Sequence, residues 1–245
     1  MFETPLFTQS KQKGSSPLII FVDGGIKLKE RFYQKMEEKG LPAPPGLGVG
    51  DADSAGEEWQ KAFDYIFPSD KSVSDVALAL KFVPPKTENL ELWGFIGGRL
   101  DHQMIVLGEL SSWLVDISEH QNKQVQGKIK DLHTEPALNE IDFLSSGKMS
   151  FEHQGTFSLL SLTPNEVQLQ GRCRWPLKNS QILGSLSSLG LSNQANGKVT
   201  LSTSAPAFVY FVNDGKTTGV PLDDGPKKGK SNSPKRKNRG PRGNK

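Results

Sequence analysis

The chain of 245 residues has one cysteine, Cys173. No internal disulfide can form, which fits a reducing compartment. Long apolar runs are also missing, and no stretch approaches the roughly 18 residues that a membrane-crossing helix needs. Met1 to Ser16 lacks the apolar segment of a secretory signal. These absences predict a soluble, cytoplasmic protein with no membrane partner. There is no Gly-x-x-x-x-Gly-Lys-Ser/Thr loop, which excludes Walker-type nucleotide chemistry. Histidine is scarce, and His120, His133 and His153 show no metal-ligand spacing. Acids are missing from Pro226 to Lys245, where nine lysines and arginines stand. Without that segment 21 basic residues face 27 acidic ones, so the body carries −6 although the whole chain carries +3. The isoelectric point of 8.8 therefore describes the tail, and the charge balance does not mark the body as a nucleic-acid binder. The tail's cations suit weak, salt-dependent contact with anionic partners.

What is present alternates. Leu18 to Val22 reads as a buried strand ending in Asp23-Gly24-Gly25, and Ile26 to Lys39 as an amphipathic helix. Leu47 to Gly50 is a short strand before Asp51-Ala52-Asp53-Ser54, and Glu57 to Tyr65 looks helical. Ser74 suits the N-cap of a helix from Asp75 to Phe82. Leu90 to Ile96 forms the next strand, broken by Gly97-Gly98, and Met104 to Leu114 the next helix. Ile129 to Leu132 reads as a last strand of this first unit. Strand–helix alternation predicts a parallel sheet with helices on its faces, a Rossmann-like α/β domain over residues 14–140.

From about Ile141 the texture changes to short β-like runs: Ile141 to Leu144, Met149 to Phe151, Phe157 to Leu162, Val167 to Leu169, Val199 to Ser202 and Phe208 to Val212. This predicts a small all-β domain, a sandwich, over residues 141–213. Residues 214–245 have almost no apolar side chains and read as a disordered basic tail, and Met1 to Ser16 as a loose leader.

Asp23, the Asp51/Asp53 pair and Arg99/Asp101 each follow a candidate strand directly. If the strands are parallel they meet at one edge, where ligands of open α/β sheets bind. Carboxylates two residues apart can converge on a hard cation such as Mg²⁺. Taken singly each group has a plainer explanation. Asp51 and Asp53 suit an Asp-rich turn or a cap, Asp75 favours a helix dipole, and Arg99–Asp101 can be a local pair. Lys71 alone is a solvated lysine. Trp175, in Gly171-Arg172-Cys173-Arg174-Trp175-Pro176-Leu177, is either core or a flat face for a ring, including a cationic one.

Together, in order and spacing, these motifs resemble the thiamine pyrophosphokinase (thiamine diphosphokinase) family over about Leu18 to Phe211. The matching pieces are Asp23-Gly24-Gly25, Gly50-Asp51-Ala52-Asp53-Ser54, Lys71 to Asp75, Gly97 to His102, Gly171 to Leu177 and Gly190 to Asn193. Ser72 stands where the family usually has Asp, Ser74 where it has Thr, Val106 where Asn is common, and Gln194 where Glu is frequent. The resemblance implies a homodimer that transfers a pyrophosphoryl group from ATP to thiamine, giving thiamine diphosphate and AMP. It implies Mg²⁺ on Asp51, Asp53 and Asp75, with Lys71 and Arg99 neutralising charge. Asp101 would orient Arg99 or help accept the hydroxyl proton. ATP would lie against Asp23, Gly24, Gly25, Ser74, Gly97, Gly98, Arg99 and His102. Thiamine would meet Trp175, Ser188, Ser192 and Asn193 near the subunit interface. Two other readings remain: a diphosphokinase for another heterocyclic alcohol, such as a hydroxymethylpterin, and a non-catalytic thiamine- or nucleotide-binding descendant, which would explain Ser72.

Overall fold

The computed structural model describes residues 6–9, 17–53, 55–121, 124–131 and 139–212. The apolar run after Pro17 forms β2 (Ile19–Val22), with all four side chains buried. It pairs in parallel with β3 (Gly46–Gly50), which pairs in parallel with the short β4 (Tyr65–Ile66). A 3-10 turn over Asp23–Leu28 leads into α1 (Lys29–Glu38), and a second 3-10 turn covers Glu57–Ala62. α2 (Asp75–Leu80) starts where Ser74 caps it, the hydroxyl accepting from the Ala77 amide at 3.2 Å. β5 (Asn89–Trp93) is followed by α3 (Leu100–Gln121), longer than the apolar pattern suggests. β6 (Gln126–Lys130) then runs parallel to β5.

The leader is not loose throughout. Residues 6–9 form β1 (Leu6–Gln9), which lies between β2 and β5 and is antiparallel to both. The first unit is therefore mixed rather than wholly parallel. A four-residue strand has too few side chains to show a period, and one of its partners, β5, is distant in sequence. Because β1 opposes both neighbours, β2 and β5 point the same way, and their carboxyl ends emerge at one edge.

The second part is joined to the first through the sheet. The hydrogen-bonded ladder is continuous across twelve strands in the order β10-β9-β11-β8-β12-β7-β6-β5-β1-β2-β3-β4. β7 (Asn139–Leu144) pairs antiparallel with β6 and joins the two parts. The two runs read at Met149 and Phe157 are one strand, β8 (Gly147–Leu160). β9 (Asn165–Cys173), β10 (Leu177–Leu183), β11 (Asn193–Thr203) and β12 (Ala207–Val212) complete an antiparallel region. β10 buries only its first and last residues, so its pattern carries little strand signal.

One core packs Ile20, Val22, Leu90, Leu92, Ile129 and Phe143 against α2 and α3. On the other face Ile19 and Phe21 meet Phe32 and Tyr33 of α1 and Trp59. The antiparallel part has its own core, including Phe151, Phe157, Val199 and Phe211. Fully buried rings such as Phe21, Phe143 and Phe157 each contribute about 1.5–3 kcal/mol by leaving water. Cys173 is buried and free, as a structural cysteine. Among the described residues no helix is long and apolar enough to cross a membrane. The tail from 214 lies outside the described residues.

Candidate active site

The carboxyl ends of β2 and β3 are drawn tightly together. A Cβ on Gly50 would lie 2.7 Å from the Asp23 Cα, so only glycine lets the two turns approach. Asp23 itself has φ +47 and Ala52 φ +63, which turn the chain sharply on both sides of the site. Asp75 enters from the first turn of α2. As a result Asp23, Asp51 and Asp75 each offer a carboxylate oxygen within 4.8 Å of the others. The Lys71 ammonium stands among them, 2.5 Å from Asp51 Oδ2 and 3.1 Å from Asp75 Oδ1.

The electrostatics follow from this crowding. Burial pushes Asp75 above the usual carboxylate range, and the Asp51 and Asp23 charges add to the rise against the pull of Lys71. Burial also acts upward on Asp51, but the Lys71 hydrogen bond and the Asp53 amide, donated to Oδ1 at 3.2 Å, carry it below its ordinary value. Burial works against the Lys71 charge, yet its bonds to Asp51 and Asp75 raise it above the usual lysine value. One lysine faces three acids. Asp75 Oδ1 is shut off from solvent and meets the Lys71 ammonium at 3.1 Å. An all-oxygen set with surplus negative charge fits a hard divalent cation.

Asp53 is exposed and outside this convergence, while Asp23 is inside it. Spacing alone pointed to the Asp51/Asp53 pair. The signal for Asp23 was its position directly after β2, the first of the parallel strands. Ser72 is exposed, Ser74 is occupied as a cap, and Ser54 lies outside the described residues.

The second loop at this edge follows β5. Gly97 has φ +94, and a Cβ there would lie 2.6 Å from Asp131 Oδ2. Asp131, just past β6 and buried, thus supports the loop from below. Gln103 ties it from above, donating Nε2 to the Gly98 carbonyl at 2.8 Å. Neither residue stands out in sequence. Arg99 and Asp101 form a two-bond pair, Nε to Oδ1 at 3.1 Å and Nη2 to Oδ2 at 2.5 Å, more than half exposed. The Arg99 hydrogen bond holds Asp101 down to about 2. His102 is exposed beside them. Gly24 and Gly25 are buried in the turn after β2.

The third group lies elsewhere. Trp175, 51% exposed, sits in the β9–β10 turn with the Arg174 guanidinium 4.8 Å from its ring centroid. One face of the indole is thus taken. Asn193, buried, accepts from the Trp175 amide and donates to its carbonyl. Its carboxamide is therefore spent on backbone. Ser192 has φ +57 and its amide donates to Ser158 Oγ; Ser188 is exposed. In the sheet order β11, β8, β12, β7, β6, β5 and β1 all stand between β9 and β2. The acid cluster and the Arg99 loop share one edge, and the Trp175 group belongs to the opposite flank.

No protein-family profile matches the chain, and no curated protein matches it in sequence. Solved structures do match. Thiamine pyrophosphokinase from Bacillus subtilis superposes with a TM-score of 0.54 at 22% identity, covering 80% of this chain and 87% of that one. The enzyme from Geobacillus thermodenitrificans gives 0.52 at 21%, covering 82% and 87%. That from Candida albicans gives 0.55 at 16%, covering 78% and 80%. The chain has the thiamine pyrophosphokinase fold.

Proposed function

We propose that this protein is a thiamine diphosphokinase, transferring a pyrophosphoryl group from ATP to thiamine. The observation that carries the reading is the Asp23–Asp51–Asp75 cluster with Lys71, at the same sheet edge as the Arg99–Asp101 loop. In this reaction the thiamine hydroxyl oxygen bonds to the β-phosphorus of ATP. The bond from that phosphorus to the oxygen shared with the α-phosphate breaks, AMP leaves with it, and the hydroxyl proton is lost. Such transfers need positioning and charge neutralisation more than covalent catalysis.

Asp51 and Asp75 would hold Mg²⁺, with Asp23 completing the cluster on the sheet side and Asp53 assigned to the metal from solvent. When bound, the ion would neutralise phosphate charge. Lys71 provides a cation held by two carboxylates, and Arg99 a guanidinium aimed by its bidentate partner. Asp101, held near 2, is a weak base at neutral pH, so its role is to orient Arg99. The backbone of Gly24, Gly25, Gly97 and Gly98, with Ser74 and His102, would line the ATP side. Trp175 would stack on the thiamine rings with its free face, next to Ser188 and Ser192, and Asn193 would hold it there.

Because Trp175 and the acids lie on opposite flanks, we place thiamine between two copies of the chain, one giving the acids and the other Trp175. We retain residues 14–140 as the catalytic part, 141–213 as the part that meets thiamine, and 214–245 as a tail outside the reaction. The setting is assigned to the cytoplasm. The test is AMP release from ATP with thiamine, compared with a hydroxymethylpterin. Release with the pterin alone would move the assignment to another heterocyclic alcohol, and release with neither would remove it.

A further inference from the structure

β11 meets β8 at Asn193, which stands opposite Phe157, and the ladder runs from there to Thr203 opposite Gly147. One step further back it would set Ser192 against Ser158. The ladder stops short of that step. Ser192 has φ +57, a left-handed conformation that strains a side chain, and the chain turns away from β8. A side chain makes the bond that the ladder would have made: the Ser192 amide donates to Ser158 Oγ at 3.0 Å.

Ser158 is itself fixed and out of solvent. On its other side it pairs with Tyr210 of β12, and it is buried. Just before Ser192, the 3-10 turn Ser188–Gly190 is pressed onto the next residue of β8. A Cβ on Gly190 would lie 2.3 Å from the Leu159 carbonyl oxygen. Between that contact and Asn193, both Leu191 and Ser192 are exposed, and the Ser158 hydroxyl ties this exposed pair to the sheet. The next residue is Asn193, which is buried and grips the backbone of Trp175. Its Oδ1 also accepts from the Gln194 amide at 2.8 Å, so its carboxamide points where the backbone at the start of β11 sends it. The position of Trp175 is thus set through Asn193 by Ser192, and that of Ser192 by Ser158. A left-handed residue other than glycine persists where its surroundings over-determine it, and such residues cluster at ligand sites.

We propose that Ser158 is a positioning residue for the face that meets thiamine, acting on Trp175 through Ser192 and Asn193 and touching no substrate itself. The link to thiamine rests on the function proposed above, whereas the coupling of Ser158 to Trp175 does not.

The experiment compares full-length Ser158→Ala with the parent by amide hydrogen exchange and by steady-state kinetics. Alanine removes the acceptor and little volume. The expected result is about tenfold or more faster exchange at the Ser192 and Trp175 amides, with the amides in the middle of β9 and β11 unchanged. The thiamine KM should rise about fivefold or more, with kcat and the ATP KM held within about twofold. Ser158→Thr keeps the acceptor and should bring both readouts back toward the parent. Three results would overturn the proposal: parental exchange at Trp175 in Ser158→Ala, exchange quickened alike across β8, β9 and β11, or a freed Trp175 amide with a parental thiamine KM. A parent without thiamine turnover, whose Trp175 amide is still freed by Ser158→Ala, would overturn the proposed function and uphold the coupling.

Discussion

Asn193 grips the backbone of Trp175 from both sides, its Oδ1 accepting the amide at 3.1 Å and its Nδ2 donating to the carbonyl at 2.8 Å. The indole is half exposed while the residue that holds it is buried. This predicts different outcomes for the two side chains. Trp175→Ala should raise the thiamine KM about tenfold or more, since stacking and cation–π terms are about 1–2 kcal/mol, and leave Tm nearly unchanged. Asn193→Ala should raise the same KM and also destabilise by about 1–3 kcal/mol, because buried backbone groups lose their partner. Equal Tm losses in both would return Trp175 to a structural role.

How much of this was legible in the sequence depends on the range of the interaction. The Ser74 cap and the β2, β3 and β5 strands are local, so composition and period reveal them. β1 (Leu6–Gln9) is held between β2 and the distant β5, and its four residues carry no period. β8 reads as two runs because Gly155, at φ +133, interrupts the apolar alternation without breaking the ladder. The acids at strand ends were visible as a set, but which of Asp23 and Asp53 turns inward is decided by backbone. Asp131 matters only because Gly97 sits on it.

That contact yields the second prediction. Gly97→Ala would place a methyl 2.6 Å from the Asp131 carboxylate at a φ of +94, where side chains are strained. Turnover should fall at least tenfold, with a stability loss of about 1–3 kcal/mol. The check is to measure kcat and urea midpoint together. A variant with parental values for both would show that the loop shape is not fixed by this packing.

A third prediction is in the pH dependence of stability. Burial raises Asp142, which ionises at about 6 in the fold against 3.8 ordinarily. Between these values the folded state binds more protons than the unfolded one, so stability falls as pH rises through the window. The swing is about 3 kcal/mol across it. Asp142→Asn has no such group. Its unfolding free energy relative to the parent should therefore rise from pH 3.5 to pH 7. Urea unfolding at the two pH values checks this, and a constant difference would contradict the burial argument.

The acid cluster orders the carboxylates. Asp51→Asn and Asp75→Asn remove charges from the convergence point and should lower turnover by about 10²–10³-fold or more, as losses of preorganised electrostatic groups do. Asp53→Asn, at an exposed position, should raise the Mg²⁺ requirement less than Asp51→Asn, because solvent screens its charge. Titrating activity with Mg²⁺ in each variant gives the order. An Asp53 effect larger than that of Asp51 would shift the metal toward the solvent side of the loop.

The arrangement between copies is testable by mixing variants. On the proposed function, Asp51→Asn would inactivate the acid side of a site, and Trp175→Ala would impair its thiamine side. If both sides of a site came from one chain, every site in a mixed dimer would carry one defect, and mixing would restore nothing. If each site takes its acids from one copy and Trp175 from the other, a mixed dimer has one site with both defects and one with neither. Co-refolding the two variants should then recover about half the parental activity per mixed dimer, at the parental thiamine KM. The opposite flanks of the sheet on which β2 and β9 lie lead us to expect recovery. Mixed dimers isolated by two affinity tags that stay at the activity of the impaired parents would show that one chain builds the whole site.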